Sequence, residues 1–444
     1  MRWLCTLLLS LGLPMIAPAQ TQTVRIGVLG IFHTQHLTLA ADPAGELLVS
    51  AAGQRIFLRG GSSCSLLHIR SAGASLLLSC GGSEFRATQM RASGRNQQAT
   101  ELVIAVPGKI KRRYFGVLDL KVANGELVPI VTMDLETAVA SAVQAESAPG
   151  TPLEALKAQA VVSRSYFVAG GGRHSNFDFC DLTHCQFLRE PPAVDSPAAT
   201  AAAATRDLVL TFAEKAVTAM FTRSCGGHTR TLAEIGLPRT AYPYFSVLCD
   251  VCYKNPVRWT RNVSRDDAAL LLRGEIGRLA IDRVLGWNAV PSNNFIAHEG
   301  DGEVILEGIG QGHGLGLCQR GARSMAQHGS DFREILEHYF PNTQLKALFS
   351  VRCFWPSSNG VSPKTSSTAE GAARVVKSPY PNLSQYAANR AQTVGWLALL
   401  STMLRKTVQR PEGSSCGTST TPGRPMLRLQ RKNQRILPKP PRRS

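Results

Sequence analysis

Residues 151–168 read Thr151-Pro152-Leu153-Glu154-Ala155-Leu156-Lys157-Ala158-Gln159-Ala160-Val161-Val162-Ser163-Arg164-Ser165-Tyr166-Phe167-Val168. The start is a helix signal. Thr at the N-cap offers a hydroxyl to a free N–H, Pro gives up a donor the first turn does not need, and Glu closes a capping box. The helix is expected to run through Val168 and stop at Gly170-Gly171-Gly172. Upstream, Tyr114–Val131 reads as strands and Asp134 to about Ala145 as a second helix. Downstream, Ser196–Thr205 reads as an alanine-rich helix, Leu208–Phe212 with Ala216–Phe221 as a β-hairpin, and Gly321–Phe340 as a last helix. These elements mix without the regular alternation of a parallel-sheet protein, so the expected class is α+β.

Before this region, residues 20–107 hold short β-prone runs such as Val24–Leu29 and Ser75–Ser79, separated by Gly60-Gly61 and Gly81-Gly82. They suggest a small β-rich N-terminal domain, in which Cys64 and Cys80 stand alone and could pair. Residues 1–19 read as a cleaved signal peptide, with Arg2, an apolar stretch from Leu4 to Ile16, and Ala17-Pro18-Ala19 as the cleavage site. Cys5 lies ahead of the apolar stretch, which argues against a lipoprotein anchor. No run reaches the roughly 18–20 apolar residues of a membrane span. The expected location is secreted or periplasmic.

The central domain is expected at 108–353. After Cys353 the composition shifts to Ser, Pro, Gly and basic residues, and 354–444 reads as a disordered basic tail in which Trp396–Leu404 is a short apolar exception. Trp355–Ser444 holds 15 Lys/Arg against 2 Asp/Glu, +13 of the chain's +18. A basic surface concentrated in a tail argues against a nucleic-acid-binding face. It suits a solvated end or anionic wall polymers and lipid headgroups.

Five stretches carry residues capable of chemistry. Glu146 continues the helix face marked by Val139 and Val143. Apolar surroundings would raise its carboxyl pKa toward the range of a general acid, whereas an exposed helix-end glutamate would have no such role. His174, Cys180, His184 and Cys185 place two thiols and two imidazoles within twelve residues. That set can hold zinc, or its cysteines can form disulfides. Ser224-Cys225-Gly226-Gly227-His228-Thr229 combines polar groups with glycines that permit close backbone approach. Cys249-Asp250-Val251-Cys252 is a C-x-x-C pair that could be redox-active, metal-binding or a tight disulfide. Without a βαβ context, thioredoxin-like chemistry is discounted. Gly308–Gly316 reads as a buried Gly-rich strand holding His313, not as a dinucleotide fingerprint.

These pieces, in this order, resemble the SpoIID/LytB family. Glu146 followed by Pro152–Val161 and Arg164-Ser165-Tyr166 is similar to that family's Glu and "PLEALKAQAVAARTY". Cys180-Asp181-Leu182-Thr183-His184-Cys185-Gln186 is similar to "CDTTHCQ", and Ser224–Thr229 to "S-x-GG-x-T". Gly312–Ala322 is similar to "GHGVGMSQYGA", and Glu334–Thr343 to "EILKHYYPGT". The resemblance covers roughly the central half of the chain.

It implies a peptidoglycan lytic transglycosylase that cuts the bond between N-acetylmuramic acid and N-acetylglucosamine and leaves 1,6-anhydro ends. It implies Glu146 as catalytic acid, and zinc near His174, Cys180 and Cys185 with His184 a further candidate. Arg164, Ser224, His228, Gln311, His313 and Gln319 would line the groove for the glycan strand. Other wall hydrolases are the expected partners, because some relatives instead enhance a separate amidase without cutting glycan. The chain departs from the family pattern at Arg320, usually Tyr, at Gln311, usually Trp, and at Ser147, commonly apolar. These changes bear on substrate preference.

Overall fold

The computed structural model describes residues 22–170, 174–183, 185–286 and 288–348. The signal sequence expected at 1–19 and the tail expected at 354–444 lie outside them. Eleven strands come first: β1 (Thr23–Gly27), β2 (His36–Ala41), β3 (Glu46–Ala51), β4 (Gln54–Arg59), β5 (Leu66–Ala72), β6 (Ser75–Cys80), β7 (Ser83–Ala87), β8 (Gln89–Ser93), β9 (Thr100–Val106), β10 (Ile110–Ala123) and β11 (Glu126–Asp134). Their apolar residues recur every second position, so one face turns inward. Leu47, Val49 and Ala51 are buried on β3, as are Leu76 and Leu78 on β6. Cys64 and Cys80 form a disulfide with Cα atoms 5.3 Å apart.

β10 ties the strands together. Ile110–Gly116 pairs with β9, Leu118–Lys121 with β8, and Val117–Ala123 with β11. A strand shared in this way runs tightly past its neighbours at the changeover, and Gly116 stands there. A Cβ at that position would lie 2.5 Å from the Thr132 carbonyl oxygen.

The boundary expected at 107/108 falls in the β9–β10 turn. β1 also pairs antiparallel with β11 and parallel with β12 (Phe179–Cys180). The N-terminal strands and the region after residue 108 therefore share a twelve-stranded sheet and a common core instead of forming two domains. An exposed strand edge seeks backbone partners, and composition does not reveal which distant strand supplies them.

α1 (Leu135–Glu146) begins at Asp134, whose carboxylate accepts from the Glu136 and Thr137 N–H groups. α2 (Leu153–Ala169) is the spine of the molecule. Leu156, Ala160, Tyr166 and Phe167 face the core under the sheet, while Ala155, Ala158, Val161 and Val162 face a second core with Leu210, Val217, Leu317 and Phe340. A helix apolar on both sides belongs between two cores. The expected capping box at its start does not form. Pro152 occupies the N-cap, Thr151 Oγ1 donates to the Ala148 carbonyl at 2.6 Å, and Glu154 accepts from the Phe332 N–H at 3.0 Å. The preceding turn has taken the Thr151 hydroxyl, and a distant helix start has taken Glu154.

α3 (Pro197–Ala204) is capped by Ser196. β13 (Leu208–Phe212) turns into β14 (Lys215–Ala216), so the expected hairpin is short. Phe221 instead starts β15 (Phe221–Thr222). There follow α4 (Asp250–Lys254), β16 (Arg258–Val263), α5 (Arg265–Leu271), α6 (Glu275–Leu285), β17 (Phe295–Glu299), β18 (Val304–Ile309) and β19 (Leu317–Cys318). β15 and β19 pair in parallel. The β16-β18-β17 sheet carries a third small core built on Trp259, Val263, Leu271, Ile281, Val290 and Leu306. The last helix is two helices, α7 (Gln319–Gln327) and α8 (Phe332–Tyr339), before β20 (Gln344–Ala347). Gly329 and a true capping box between Asp331 and Glu334 break it. Among the described residues, no helix is long and apolar enough to cross a membrane.

Candidate active site

Glu146 stands in the last turn of α1, beyond the fully buried Val139 and Val143. Its Oε1 accepts from the Phe187 N–H at 3.2 Å. Burial pushes the carboxyl up to about 7, against the opposing pull of the Phe187 N–H and of the Arg223 and Arg189 guanidinium groups. The negative end of the α1 dipole acts in the same direction as burial. A carboxyl poised near neutrality can both deliver and recover a proton.

The carboxyl opens onto a pocket of about 190 Å3 that is also lined by Gln159, Ser224, Gln311 and Gln319. Arg223, Arg320 and Arg323 line it too, and among the described residues Glu146 is its sole acid. Gln319, the first residue of α7, donates from Nε2 to the Glu146 backbone carbonyl at 3.1 Å and to Gln159 Oε1 at 3.4 Å. Ser224 and Gln311 exchange backbone hydrogen bonds of 3.0 and 2.8 Å. This approach requires Gly310: its φ is +86°, and a Cβ would lie 2.7 Å from the Ser224 carbonyl oxygen. The segment expected as a Gly-rich strand is thus strand only to Ile309. Beyond it the chain turns through glycines of positive φ.

Of the groove residues expected from sequence, Glu146, Ser224, Gln311 and Gln319 come together, and three others do not line the pocket. Arg164 is fully buried. It holds Glu136 through two contacts of 2.6 and 2.7 Å and donates to the Ala202 and Leu208 carbonyls, so it ties α1, α2, α3 and β13 together. His228 is exposed, with its ring 6.0 Å from that of Tyr253. His313 accepts at Nδ1 from the Leu315 N–H at 2.9 Å and also bonds to the Phe221 backbone. Burial lowers its pKa, with the Arg278 guanidinium adding to that and Glu275 opposing it. It is a neutral group whose ring nitrogens are both taken by backbone.

His174, Cys180 and Cys185 do converge. Their ligand atoms all lie within 4.8 Å of one another, and His174 Nε2 is 3.3 Å from Cys185 Sγ. Two soft thiols with one imidazole form a donor set suited to zinc. His184 lies outside the described residues. A second convergence was not expected from sequence: Cys225, Cys249, Cys252 and Cys318 gather in the second core.

Sequence reasoning passed over Gln159, Arg223 and Phe187. Gln159 and Arg223 lie inside or beside quoted motifs and could have been named. Phe187 contributes a backbone N–H, which every residue but proline carries, so no side-chain pattern marks it.

The family model described as SpoIID, Stage II sporulation protein, matches residues 123–212. That segment runs from the end of β10 to the end of β13 and contains Glu146, α2 and the loop of Cys180 and Cys185. An uncharacterized protein of Brachyspira hyodysenteriae is 28% identical over 261 residues, covering 51% of this chain and 70% of its own length.

Proposed function

Because the chain belongs to the SpoIID family through residues 123–212, with the cell-wall-related role that membership brings, we propose that it is a peptidoglycan lytic transglycosylase. The reading rests on one observation: among the described residues the pocket has a single acid, Glu146, and its carboxyl is raised to about 7. Most glycoside hydrolases use two carboxyl groups, one to protonate the leaving oxygen and one to act as base or nucleophile. A transfer within the sugar needs one.

Protonated Glu146 gives its proton to the oxygen linking N-acetylmuramic acid to N-acetylglucosamine, and the bond from the muramic anomeric carbon to that oxygen breaks. The 6-hydroxyl of the same muramic residue bonds to the anomeric carbon and releases its proton to the Glu146 carboxylate. The acid is restored, water is not consumed, and a 1,6-anhydro end remains. Gln159 and Gln319 fix the backbone end of α1 that carries the carboxyl. Arg223, Arg320 and Arg323 give the pocket a positive lining that suits the free lactyl carboxylate of glycan stripped of peptide.

His174, Cys180 and Cys185 would hold a zinc ion. Bound there, it would supply structural cross-linking by staying fixed to its protein ligands. Gln186 in the same loop donates to the Ser163 carbonyl at 3.1 Å, and Phe187 presents its N–H to Glu146. The loop therefore sets the carboxyl's position. The protein would act outside the cytoplasm, secreted or periplasmic, on glycan strands.

The test is digestion of peptide-free glycan by purified protein, with products read by mass. Anhydro-ended fragments are expected from wild type and not from Glu146→Gln. Equal behaviour of the two would sink the enzyme reading and leave a wall-binding protein.

A further inference from the structure

Cys225, Cys249, Cys252 and Cys318 are each buried, and their four sulfurs all lie within 4.8 Å of one another. Cys252 Sγ is 3.7 Å from Cys318 Sγ. No disulfide joins any of them. Three separate segments bring them together: Cys225 follows Ser224, Cys249 and Cys252 bracket the first turn of α4, and Cys318 precedes Gln319.

We propose that these four thiolates form a metal centre of their own, a tetrahedral tetrathiolate site for one zinc ion that locks together two walls of the Glu146 pocket.

The spacing selects the ion. Zinc–sulfur bonds of about 2.3 Å place tetrahedral sulfurs about 3.8 Å apart, close to the 3.7 Å seen between Cys252 and Cys318. Disulfide sulfurs sit at about 2.05 Å. A four-iron cluster fills the space between its cysteines with eight atoms and holds them farther apart. The surroundings suit bound thiolates as well. The Ser224 hydroxyl lies 3.4 Å from Cys252 Sγ, and the Tyr339 hydroxyl donates to Cys249 Sγ at 3.3 Å. Such donors to ligating sulfur orient it and stabilise its charge. The Cys252 N–H bonds back to the Cys249 carbonyl at 3.0 Å, while the Cys249 N–H bonds to the Gly227 carbonyl at 2.7 Å. Gly321 leaves room for the sulfur, since a Cβ there would lie 2.6 Å from Cys249 Sγ.

The consequence is mechanical. Cys225 is covalently next to the pocket residue Ser224, and Cys318 is next to Gln319, which holds the end of α1. One ion bound to both would fix these walls relative to each other. The site is distinct from His174, Cys180 and Cys185, and it does not depend on the reaction assigned to Glu146.

Zinc content of protein purified without chelator tests this in a His174→Ala/Cys180→Ser/Cys185→Ser background. One zinc per chain is expected, with sulfur-only coordination near 2.3 Å in X-ray absorption. The content should fall to zero when Cys252→Ser and Cys318→Ser are added. No zinc, or nitrogen in its coordination shell, overturns the proposal. Wild-type chain supplies a second measurement that is independent of how these variants fold: alkylation in denaturant with chelator and no reductant, mapped by peptide mass, beside its zinc content. Labelling of all four cysteines in a zinc-loaded chain whose four sites resist alkylation before chelation supports the centre. Two disulfides among them, or four thiols labelled equally without chelator, overturn it.

Discussion

The side-chain amide of Gln319 donates to the backbone carbonyl of Glu146 at 3.1 Å, across 173 residues of sequence. The first residue of α7 thereby closes the open end of α1, where the acid sits. Carbonyls in a helix's last turn lack partners within the helix, so an outside donor fixes the direction of the final turn. Gln319→Ala should cost about 1 kcal/mol of stability and lower glycan cleavage roughly tenfold or more through misplacement of the carboxyl. Urea unfolding and cleavage kinetics, run on the same preparation, check both.

Glu146→Gln keeps the shape and removes the proton. Cleavage should fall by about 10²–10⁴, while binding to glycan in a pull-down is retained. A variant with full activity would remove Glu146 from the chemistry.

The raised carboxyl sets the pH dependence. The proposed cleavage begins with protonated Glu146, so its rate should decline as pH rises through about 7. Stability follows the same sign. Between pH 4.5 and about 7 the folded chain keeps a proton that the unfolded chain releases. The associated stability is full below that window and is lost as pH rises through it. Glu146→Gln should therefore be more stable than wild type above pH 7, by on the order of 1 kcal/mol, since the carboxyl is only partly shielded. Thermal unfolding at pH 5 and pH 8 measures the difference.

Arg164 should behave as a structural residue. Removing one partner of a buried ion pair costs about 3–5 kcal/mol, and Arg164→Met strands Glu136 and two carbonyls. Loss of activity in Arg164→Met should parallel loss of folded protein by circular dichroism. Loss of activity in a fully folded variant would return Arg164 to the groove.

Cys185→Ser should reduce bound zinc by one ion per chain and lower the melting temperature. Cleavage should fall as the loop carrying the Phe187 N–H loosens. Metal analysis and calorimetry on the variant decide this.

Much of the local structure was legible in the residues. Asp134 and Ser196 cap the helices that follow them, and the period of two in β3 and β6 is plain in their leucines and valines. Where the sequence misled, a distant group had claimed a local one. Glu154 bonds Phe332 and not its own helix start, and β1 finds its partner in β11. Arg164 shows the same limit: a guanidinium reads alike in a groove and in a core until its carboxylate partner is located.

The sequence by itself determined the SpoIID likeness, the place of Glu146 at the end of a helix and the thiol-rich loop, because those depend on residue type and short spacing. Only the tertiary structure decided that Gln319 closes α1, that His313 bonds to the Phe221 backbone, and that Cys225, Cys249, Cys252 and Cys318 meet. Short spacing fixes which groups a helix or turn presents. Convergence of groups nearly a hundred residues apart depends on how buried faces pack, and no local pattern encodes it.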